Sequence, residues 1–554
     1  MSGLLSHLVV LPIVLPLLAV AVLLRLGEAR RRARSLVNIG ASFLGLWVAV
    51  AIMLRVDSGS DAAGQINVYL ASNWEAPFGI VLVADRLSAL MLVLVGVVSS
   101  CVALYAEAAW SRAGVYFQPL FQIQLMGLNG AFLTGDLFNL FVFFEVMLAA
   151  SYGLHLHGSG WPRVRTGLHY IAVNLLASSL FLVGLAVLYG VTGTLSMADL
   201  ADKLSQVPAR DRGLLHAGAA ILAMAFLIKA AIWPLNAWLV PAYVATSAPV
   251  AALFALMTKV GIYALLRLWT LLFSGEPGPS LHFGRPLLLY AGLATITFGA
   301  LGLIASVRLG RVASFSIIVS AGTLLAALGF GAAAVTSGAL FYMLSATVAV
   351  SALFLLVELI ERVGESTRAH LPDVDFAPGE DTNLDDEEAP LVGRAFPISV
   401  ALLGVAFTAA ALLIAGLPPL SGFLAKFSLL QAVLRTDLGP NASDGSHVSL
   451  PGWIFFGLLL LSGLAATVSL ARAGIRHFWT AGRVAPHIKP VEAAAVLCLV
   501  FSCVLLTAFA EPALRYTTAT AASLHAPRAY IASVLSARAR LGPTQSKLDR
   551  ERAP

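Results

Sequence analysis

Long apolar runs separated by short polar connections dominate the sequence. Most of the runs exceed the roughly 18 residues that distinguish a membrane-spanning helix from a buried core helix. This pattern predicts an all-α polytopic membrane protein with about fourteen transmembrane helices. The predicted spans cover residues 4–24, 36–54, 79–105, 114–134, 137–156, 166–190, 214–247, 248–272, 287–306, 311–331, 335–361, 397–435, 452–472 and 490–511.

The seventh and twelfth spans are unusually long and contain prolines. Pro234 and Pro241 interrupt the seventh span, and Pro418 and Pro419 interrupt the twelfth. A helix break inside a membrane is tolerated only where protein or a water-filled cavity receives the freed backbone groups. Matched breaks in the two halves of a transporter indicate inverted repeats around a transport site. We therefore predict two inverted five-helix repeats, formed by spans 4–8 and 9–13.

These repeats divide the chain into four segments. We expect three N-terminal helices in residues 1–112, the first repeat in 113–273 and the second repeat in 287–480. The final helix and a basic C-terminal tail occupy 481–554. Within the second repeat, residues 363–395 are acidic, and their composition is typical of a disordered cytoplasmic connection.

Composition and charge agree with a membrane protein and exclude several other classes. Hydrophobic residues make up 59% of the chain, charged residues only 12%, and the mean hydropathy is +0.87. The net charge of +6 comes largely from arginine clusters between the spans, and no soluble basic domain is present that could bind nucleic acid. Arginine and lysine are more frequent in the connections after odd-numbered spans. The positive-inside rule therefore predicts that both termini face outward, although the basic C-terminal tail departs from that rule.

No motif indicates a cofactor. The three cysteines, Cys101, Cys498 and Cys503, lie in apolar spans without a metal-ligand or disulfide pattern. The sequence also lacks a nucleotide-binding loop and a haem-attachment motif. We expect no cofactor and no metal, so the energy for any transport has to come from an ion gradient or from a partner subunit.

Four ionisable residues lie deep inside predicted spans. They are Glu145 in the fifth span, Lys229 in the seventh, Lys259 in the eighth and Lys426 in the twelfth. A charge at the membrane centre costs about 3 kcal/mol by insertion scales, so such residues are functional candidates by default. We predict that Glu145 pairs with Lys229 and that proton transfer continues through Lys259 and Lys426. The alternatives are a purely structural acid and lysines that extend to the membrane interface.

Several uncharged or weakly basic residues could support this series. Ser345 is one of four polar residues between residues 341 and 356 of the eleventh span, and none of the four is charged. Water would therefore have to connect Lys259 with Lys426. Thr258 can bond within its own helix. The supporting candidates are His169, Asn236, Tyr243, Thr258 and Ser345.

The same segments resemble a known family. The stretches FLTGDLFNLFVFFEVMLAASYGL, HYIAVNLLASSLFLVGLAVLYGVTGTLSMADLA, FLIKAAIWPLNAWLVPAY, LMTKVGIYALLR and LPPLSGFLAKFSLL are similar to the D-type subunits of the Mrp/Pha-type multi-subunit monovalent cation/proton antiporters. The resemblance covers about residues 80–480. That family is related to the antiporter-like membrane subunits of respiratory complex I.

The resemblance implies a function, a location and partners. It implies fourteen helices with broken helices 7 and 12, and it places Glu145, Lys229, Lys259 and Lys426 on a central polar axis. It also implies a secondary transporter subunit, not an enzyme, that exchanges Na⁺ or K⁺ for protons in pH homeostasis. The expected partners are subunits of types A, B, C, E, F and G in a bacterial inner membrane.

The chain also departs from related sequences, which leaves alternatives. Complex I relatives often have histidine where this chain has Asn236 and Tyr243, and histidine or lysine in the eleventh span. The absence of these residues favours an antiporter subunit. The alternatives are a proton-pumping subunit of a complex I-like oxidoreductase or a membrane-bound hydrogenase, and a structural scaffold with vestigial charges.

Overall fold

The computed structural model describes residues 7–27, 30–59, 65–110, 114, 116–158, 160–275, 277–369, 398–437, 448–478 and 488–538. Apart from its first residues, which end a helix, the acidic connection expected at 363–395 lies outside the described residues. So does the C-terminal tail from residue 539 onward.

The described part of the chain is almost entirely helical. It contains nineteen α-helices. They are α1 (Leu11–Arg25), α2 (Arg31–Asp57), α3 (Arg86–Trp110), α4 (Phe117–Leu133), α5 (Leu137–Leu156), α6 (Trp161–Thr192), α7 (Met197–Lys203), α8 (Ala209–Lys229), α9 (Leu239–Ala245), α10 (Ala248–Leu272), α11 (Arg285–Ala305), α12 (Leu309–Phe330), α13 (Ala333–Ala369), α14 (Ile398–Ala415), α15 (Ser421–Asp437), α16 (Leu450–Phe478), α17 (Pro490–Ala508), α18 (Ala510–His525) and α19 (Arg528–Leu535). Two short antiparallel strands, β1 (Asn67–Leu70) and β2 (Val81–Ala84), form a hairpin in which Asn67 pairs with Ala84.

The predicted fold class, an all-α polytopic membrane protein, is confirmed. Among the described residues, 12 helices are long and apolar enough to cross a membrane. Each predicted span contains a helix, but α1 has only 15 residues and α4 only 17. The count of fourteen transmembrane helices and the inverted relation of the two repeats therefore stay predictions, as do the four segment boundaries.

Both of the long spans are broken. In the seventh span α8 ends at Lys229 and α9 begins at Leu239; in the twelfth, α14 ends at Ala415 and α15 begins at Ser421. Side chains satisfy part of the freed backbone: Trp238 Nε1 donates to Ile228 O at 3.1 Å. One expectation was wrong in detail. Pro241 does not interrupt a helix but lies in the first turn of α9, where its missing N–H leaves no helical bond unmade.

Three helices form the centre of the bundle. The apolar windows of α10, α12 and α13 are 100%, 94% and 89% buried, whereas that of α6 is 39% buried. A side chain on α10 is therefore surrounded by protein on every side. This position explains why a lysine on α10 has to find its polar partner on a neighbouring helix.

The β-hairpin, α18 and α19 lie at one end of the bundle, which we call the hairpin end. There Arg267 Nη1 and Nη2 donate to the two carboxylate oxygens of Asp85 at 2.6 and 2.7 Å. Their side chains are 6% and 10% exposed, and the Tyr530 ring of α19 lies 5.2 Å from the Arg267 guanidinium carbon. This buried ion pair joins the start of α3 to α10. No local pattern in the sequence indicates the pair, because the two residues are 182 positions apart.

A buried histidine joins α18 to the start of α13. His525 Nε2 is 3.0 Å from Thr336 Oγ1. Burial, together with the nearby Arg285, lowers the pKa of His525 to about 4. The ring is therefore neutral at physiological pH and can form this hydrogen bond without burying a charge.

Removing the carboxylate of Asp85 should destabilise the protein strongly. In Asp85→Ala the Arg267 guanidinium stays buried without its counter-charge, which typically costs about 3–5 kcal/mol. We expect a lower midpoint of thermal unfolding for the purified protein. The matched control is Glu511→Ala, since Glu511 pairs with Arg515 at 2.7 Å and the two side chains are 82% and 78% exposed; it should cost less than about 1 kcal/mol. Equal losses in the two variants would contradict this role of the buried pair.

Candidate functional site

Glu145 and Lys229 lie on either side of a serine. The Ser178 hydroxyl of α6 donates to Glu145 Oε1 of α5, and Lys229 Nζ donates to Ser178 Oγ at 3.5 Å. Lys229 is 5% exposed and Glu145 is half-buried. No direct ion pair within 4.0 Å joins the two among the described residues, so the predicted contact is replaced by a bridge. The reason is that α6 packs against both α5 and α8 and inserts its hydroxyl between them.

Lys229 occupies the C-terminal end of α8. Besides Ser178, its Nζ donates to Asn174 O of α6 at 3.5 Å and lies 5.9 Å from the centre of the Phe144 ring. As the last residue of its helix, the lysine also faces the negative end of the helix dipole. These partners accommodate a cation in a site from which bulk water is excluded.

Lys259 has a different environment. It is 2% exposed at the middle of α10, and its Nζ donates to Ser320 Oγ of α12 at 2.7 Å. Thr258 bonds back to Ala255 O at 3.2 Å and stays within its own helix. Among the described residues no hydrogen bond joins Lys229 with Lys259. The backbones next to these two lysines nevertheless approach closely. A Cβ added at Gly261 of α10 would lie only 2.8 Å from the backbone nitrogen of Ala230, which follows α8.

Lys426 folds back across the break of the twelfth span. Its Nζ donates to Ala415 O at 2.8 Å and to Ile414 O at 3.3 Å, which are carbonyl groups at the end of α14. Helix-terminal carbonyl groups carry a partial negative charge, so the break itself provides the site for the ammonium group. Gly416, with φ of +76°, makes room for it, since a Cβ there would lie 2.5 Å from Lys426 Cδ. Lys426 therefore bonds inside the protein and does not extend to the interface.

A small cavity extends from Ser320 to Lys426. It leaves about 20 Å³ for the centre of a water molecule, and roughly 10–15 Å³ is enough for one water. Its polar lining consists of Ser316, Ser320, Tyr342, Ser345, Ser462 and Lys426. The hydroxyl of Ser345 is also 2.9 Å from that of Ser421. Tyr342 and Ser345 of α13 thus line a space large enough for the water that the predicted path needs between the two lysines.

The other supporting candidates lie in three kinds of environment. Asn236, in the break of the seventh span, is 4% exposed, and its Nδ2 has no partner among the described residues. Tyr243 donates to Phe254 O at 2.8 Å, which holds α9 against α10. His169 is exposed on the surface of α6 and lies apart from the buried residues.

Sequence reasoning missed three members of the site. Ser178, Ser320 and Ser462 are single hydroxyl groups in apolar helices, where serine is common because it can bond to its own backbone. Asn174 and Ser178 are four residues apart and so share one face of α6. The sequence offered only this spacing as a sign of a polar site on α6. The spacing alone does not indicate a site, because the sequence does not show that Lys229 packs against this face.

Comparisons with known proteins agree with the family resemblance found in the sequence. The family model described as NADH:quinone oxidoreductase/Mrp antiporter, TM matches residues 134–440. The chain is 48% identical over 97% of its length and 99% of the relative to the D subunit of a probable K(+)/H(+) antiporter of Rhizobium meliloti. It is 34% identical, over 96% of its length and 99% of the relative, to the D subunit of a Na(+)/H(+) antiporter of Alkalihalophilus pseudofirmus.

Solved structures share the fold. A chain in the structure of the Mrp complex from Dietzia sp. DQ12-45-1b superposes with a TM-score of 0.79 at 28% identity, covering 96% of this chain and 99% of that one. A chain of respiratory complex I from Thermus thermophilus gives a TM-score of 0.72 at 22% identity, covering 96% and 100%. At 22% identity, the similarity to the complex I chain supports the fold alone.

Proposed function

The chain belongs to the NADH:quinone oxidoreductase/Mrp antiporter family of membrane proteins, and from this premise we propose that it is the D-type, ion-translocating subunit of a multi-subunit antiporter. It exchanges Na⁺ or K⁺ for protons in a bacterial inner membrane and has no cofactor. The observation that carries the proposal is the arrangement of Glu145, Lys229, Lys259 and Lys426, each of which has a hydrogen-bond partner inside the bundle.

The first half of the proton path consists of Glu145, Ser178 and Lys229. A serine hydroxyl can accept a hydrogen bond from an ammonium group and donate one to a carboxylate, as Ser178 does here. When a proton neutralises Glu145, the negative charge near Lys229 disappears. Lys229 then holds its own proton less tightly and passes it toward Lys259. The serine thereby couples two charges that do not touch.

The second half runs from Lys259 to the break of the twelfth span. Ser320 accepts from Lys259 and lines the small cavity that also contains Lys426. Water in that cavity would carry the proton past the part of α13 between residues 341 and 356, which has no charged side chain. At Lys426 the carbonyl groups of Ile414 and Ala415 stabilise the protonated amine. We propose this as the connection between the two repeats.

The proposal also includes the partner subunits and the orientation of the chain in the membrane. Relatives that are 48% and 34% identical are named as D subunits of antiporters, so this chain works within a hetero-oligomer with subunits of types A, B, C, E, F and G. The termini face outward, as the distribution of arginine predicts. The alternative of a complex I-like or hydrogenase pump has weaker support, because the complex I chain is similar at only 22% identity.

Loss of either end of the first half should stop exchange. We expect that Glu145→Ala or Lys229→Ala abolishes the cation-dependent dissipation of a pH gradient in everted vesicles that contain the whole complex. Measurement in Na⁺ and then in K⁺ also determines the cation preference. Normal exchange by an assembled Glu145→Ala complex would overturn the assignment of the proton site.

The role of Ser178 as the bridge can be tested against a neighbouring serine, Ser179, as the control. Ser178→Ala removes the hydroxyl between Glu145 and Lys229, and we expect exchange to slow at least about tenfold, since positioned proton donors typically contribute that much or more. Ser179→Ala is the control, because Ser179 is exposed and bonds to Leu175 O of its own helix. Similar rates in the two variants, with equal assembly, would rule out the bridge.

The position of Lys426 can be tested without altering the lysine. A Cβ at Gly463 would lie 2.8 Å from Ala415 O and 3.3 Å from Lys426 Nζ, so Gly463→Ala should displace the ammonium group from the end of α14. We expect exchange to fall severalfold while the complex still assembles. Gly457→Ala on the same helix is the control, because no described atom lies within 4 Å of its Cβ. An equal effect of both changes would indicate a general disturbance of α16.

A further inference from the structure

A second polar region, which contains none of the lysines, lies among the first four helices. A cavity enclosed by α1, α2, α3 and α4, which we call the four-helix cavity, leaves about 20 Å³ for the centre of a water molecule. Its polar lining consists of Ser42, Ser99, Gln122 and Asn129, which are all at most 8% exposed. Neither the glutamate nor any lysine of the proposed proton path belongs to it.

Gln122 presents an oxygen that has no partner among the described residues. Its Nε2 donates to Asn38 Oδ1 at 2.9 Å, to Asn38 O at 3.2 Å and to Ser42 Oγ at 3.3 Å. The two Asn38 atoms are acceptors, so the amide has to turn its NH₂ group toward them. Its Oε1 is then left buried and without a hydrogen bond in the described part of the chain. An unpaired oxygen at 0% exposure costs free energy unless it binds something.

Each of the other polar side chains around the cavity donates one hydrogen bond to a carbonyl group. Asn129 Nδ2 donates to Pro12 O at 2.8 Å, a carbonyl that is free because Pro16 has no N–H to bond it. Ser42 donates to Asn38 O at 2.9 Å and Ser99 to Gly96 O at 3.3 Å. The hydroxyl hydrogens of the lining are therefore used, whereas oxygen lone pairs remain, and the Asn129 amide keeps a second N–H besides the one bonded to Pro12 O.

Polar residues continue from this cavity toward the end of α3 that lies away from the hairpin. Asn38, the partner of Gln122, also lines a smaller cavity that contains Ser35, Glu107 and Gln118. There Ser35 donates to the Glu107 carboxylate, and Gln118 Nε2 donates to Ser35 Oγ at 3.2 Å. Eleven residues separate Gln118 from Asn129, which is about 16 Å along the α4 axis, or roughly half of the hydrocarbon core.

We propose that the four-helix cavity binds a monovalent metal cation of the Na⁺ or K⁺ type, and that Glu107 attracts this cation from one end. Neutral amide and hydroxyl oxygens replace the hydration shell of such ions, whereas divalent ions favour carboxylate ligands, which the cavity lacks among its described lining residues. Amides and hydroxyls do not titrate near neutral pH, so this region is unsuited to a proton relay. As the cation route of the antiporter it rests on the proposed function; as a binding site it can be tested separately.

Packing between helices is the competing explanation. Amide side chains join transmembrane helices by hydrogen bonds, and the three bonds from Gln122 Nε2 fit that role. Packing does not require the unpaired Oε1 or a cavity of this size beside it. The two explanations differ in what they predict for changes that leave every interhelical bond intact.

The test measures equilibrium binding of radioactive sodium and rubidium to the purified, assembled complex, with exchange in vesicles as a second readout. Gln122→Leu removes the unpaired oxygen, and we expect at least about tenfold weaker binding, since a hydrogen bond or ligand contact to a charge is worth that much. Gln124→Leu is the control: Gln124 is a fully buried amide on the same helix that does not line the cavity.

Gln122→Leu also removes hydrogen bonds between helices and could impair folding, so two milder variants are tested as well. Ser99→Ala removes a lining oxygen whose hydrogen bond to Gly96 O lies within α3. Gly45→Ala adds a methyl group to the cavity wall, where it would meet Leu15 Cδ2 at 3.8 Å, an ordinary contact distance. Both should assemble and bind the cation several times more weakly than the wild type.

The outcomes separate this inference from the proposed function. Wild-type binding in Ser99→Ala and Gly45→Ala, or an equal loss in Gln122→Leu and Gln124→Leu, would overturn the cation site and favour packing. Glu145→Ala should still bind the cation although it does not exchange it. Normal exchange in Glu145→Ala together with weakened binding in Gly45→Ala would refute the proton path and leave the cation site standing.

Discussion

A charge in the interior of a membrane has to find its partners within the protein, and the arrangement of this bundle depends on that constraint. Each of the three lysines within the spans meets this constraint in a different way. Lys229 uses a serine and a backbone carbonyl of α6, Lys259 uses the hydroxyl of Ser320, and Lys426 uses the end of α14. In none of the three is the cation held in a close ion pair among the described residues. A tight ion pair would hold the proton in place, whereas hydroxyl and carbonyl partners stabilise the charge and still allow the proton to leave.

The buried pair at the hairpin end illustrates the contrast. Asp85 and Arg267 form two short hydrogen bonds, with aromatic rings packed around the guanidinium. Arginine does not release its proton in proteins, so this pair is suited to holding α3 against α10 and not to transport. Both kinds of site occur on α10, eight residues apart. A strong, permanent contact near one end of the helix thus fixes the position of a weaker and exchangeable one at its centre.

The helix breaks connect the fold to the proposed chemistry. At the end of α14 the freed carbonyl groups bind Lys426, and at the end of α8 the break places Lys229 at a helix terminus. Glycine permits the close approaches, at Gly416 for the lysine side chain and at Gly261 for the contact between α8 and α10. The first four helices show another solution, in which amides and hydroxyls without charges surround a cavity. Neutral oxygens suit a metal cation, just as titratable groups suit a proton.

The sequence by itself determined the membrane class, the approximate spans, the two breaks and the four charges that lie within the spans. These follow from local properties: the length of apolar runs, the lack of an N–H in proline and the cost of a charge in lipid. Only the tertiary structure decided what those charges touch. Ser178 replaced the expected contact between Glu145 and Lys229, and a small cavity lined by Ser345 lies between Ser320 and Lys426. Serine, asparagine and glutamine in apolar helices look alike in a sequence, because their roles depend on which helix face meets which neighbour.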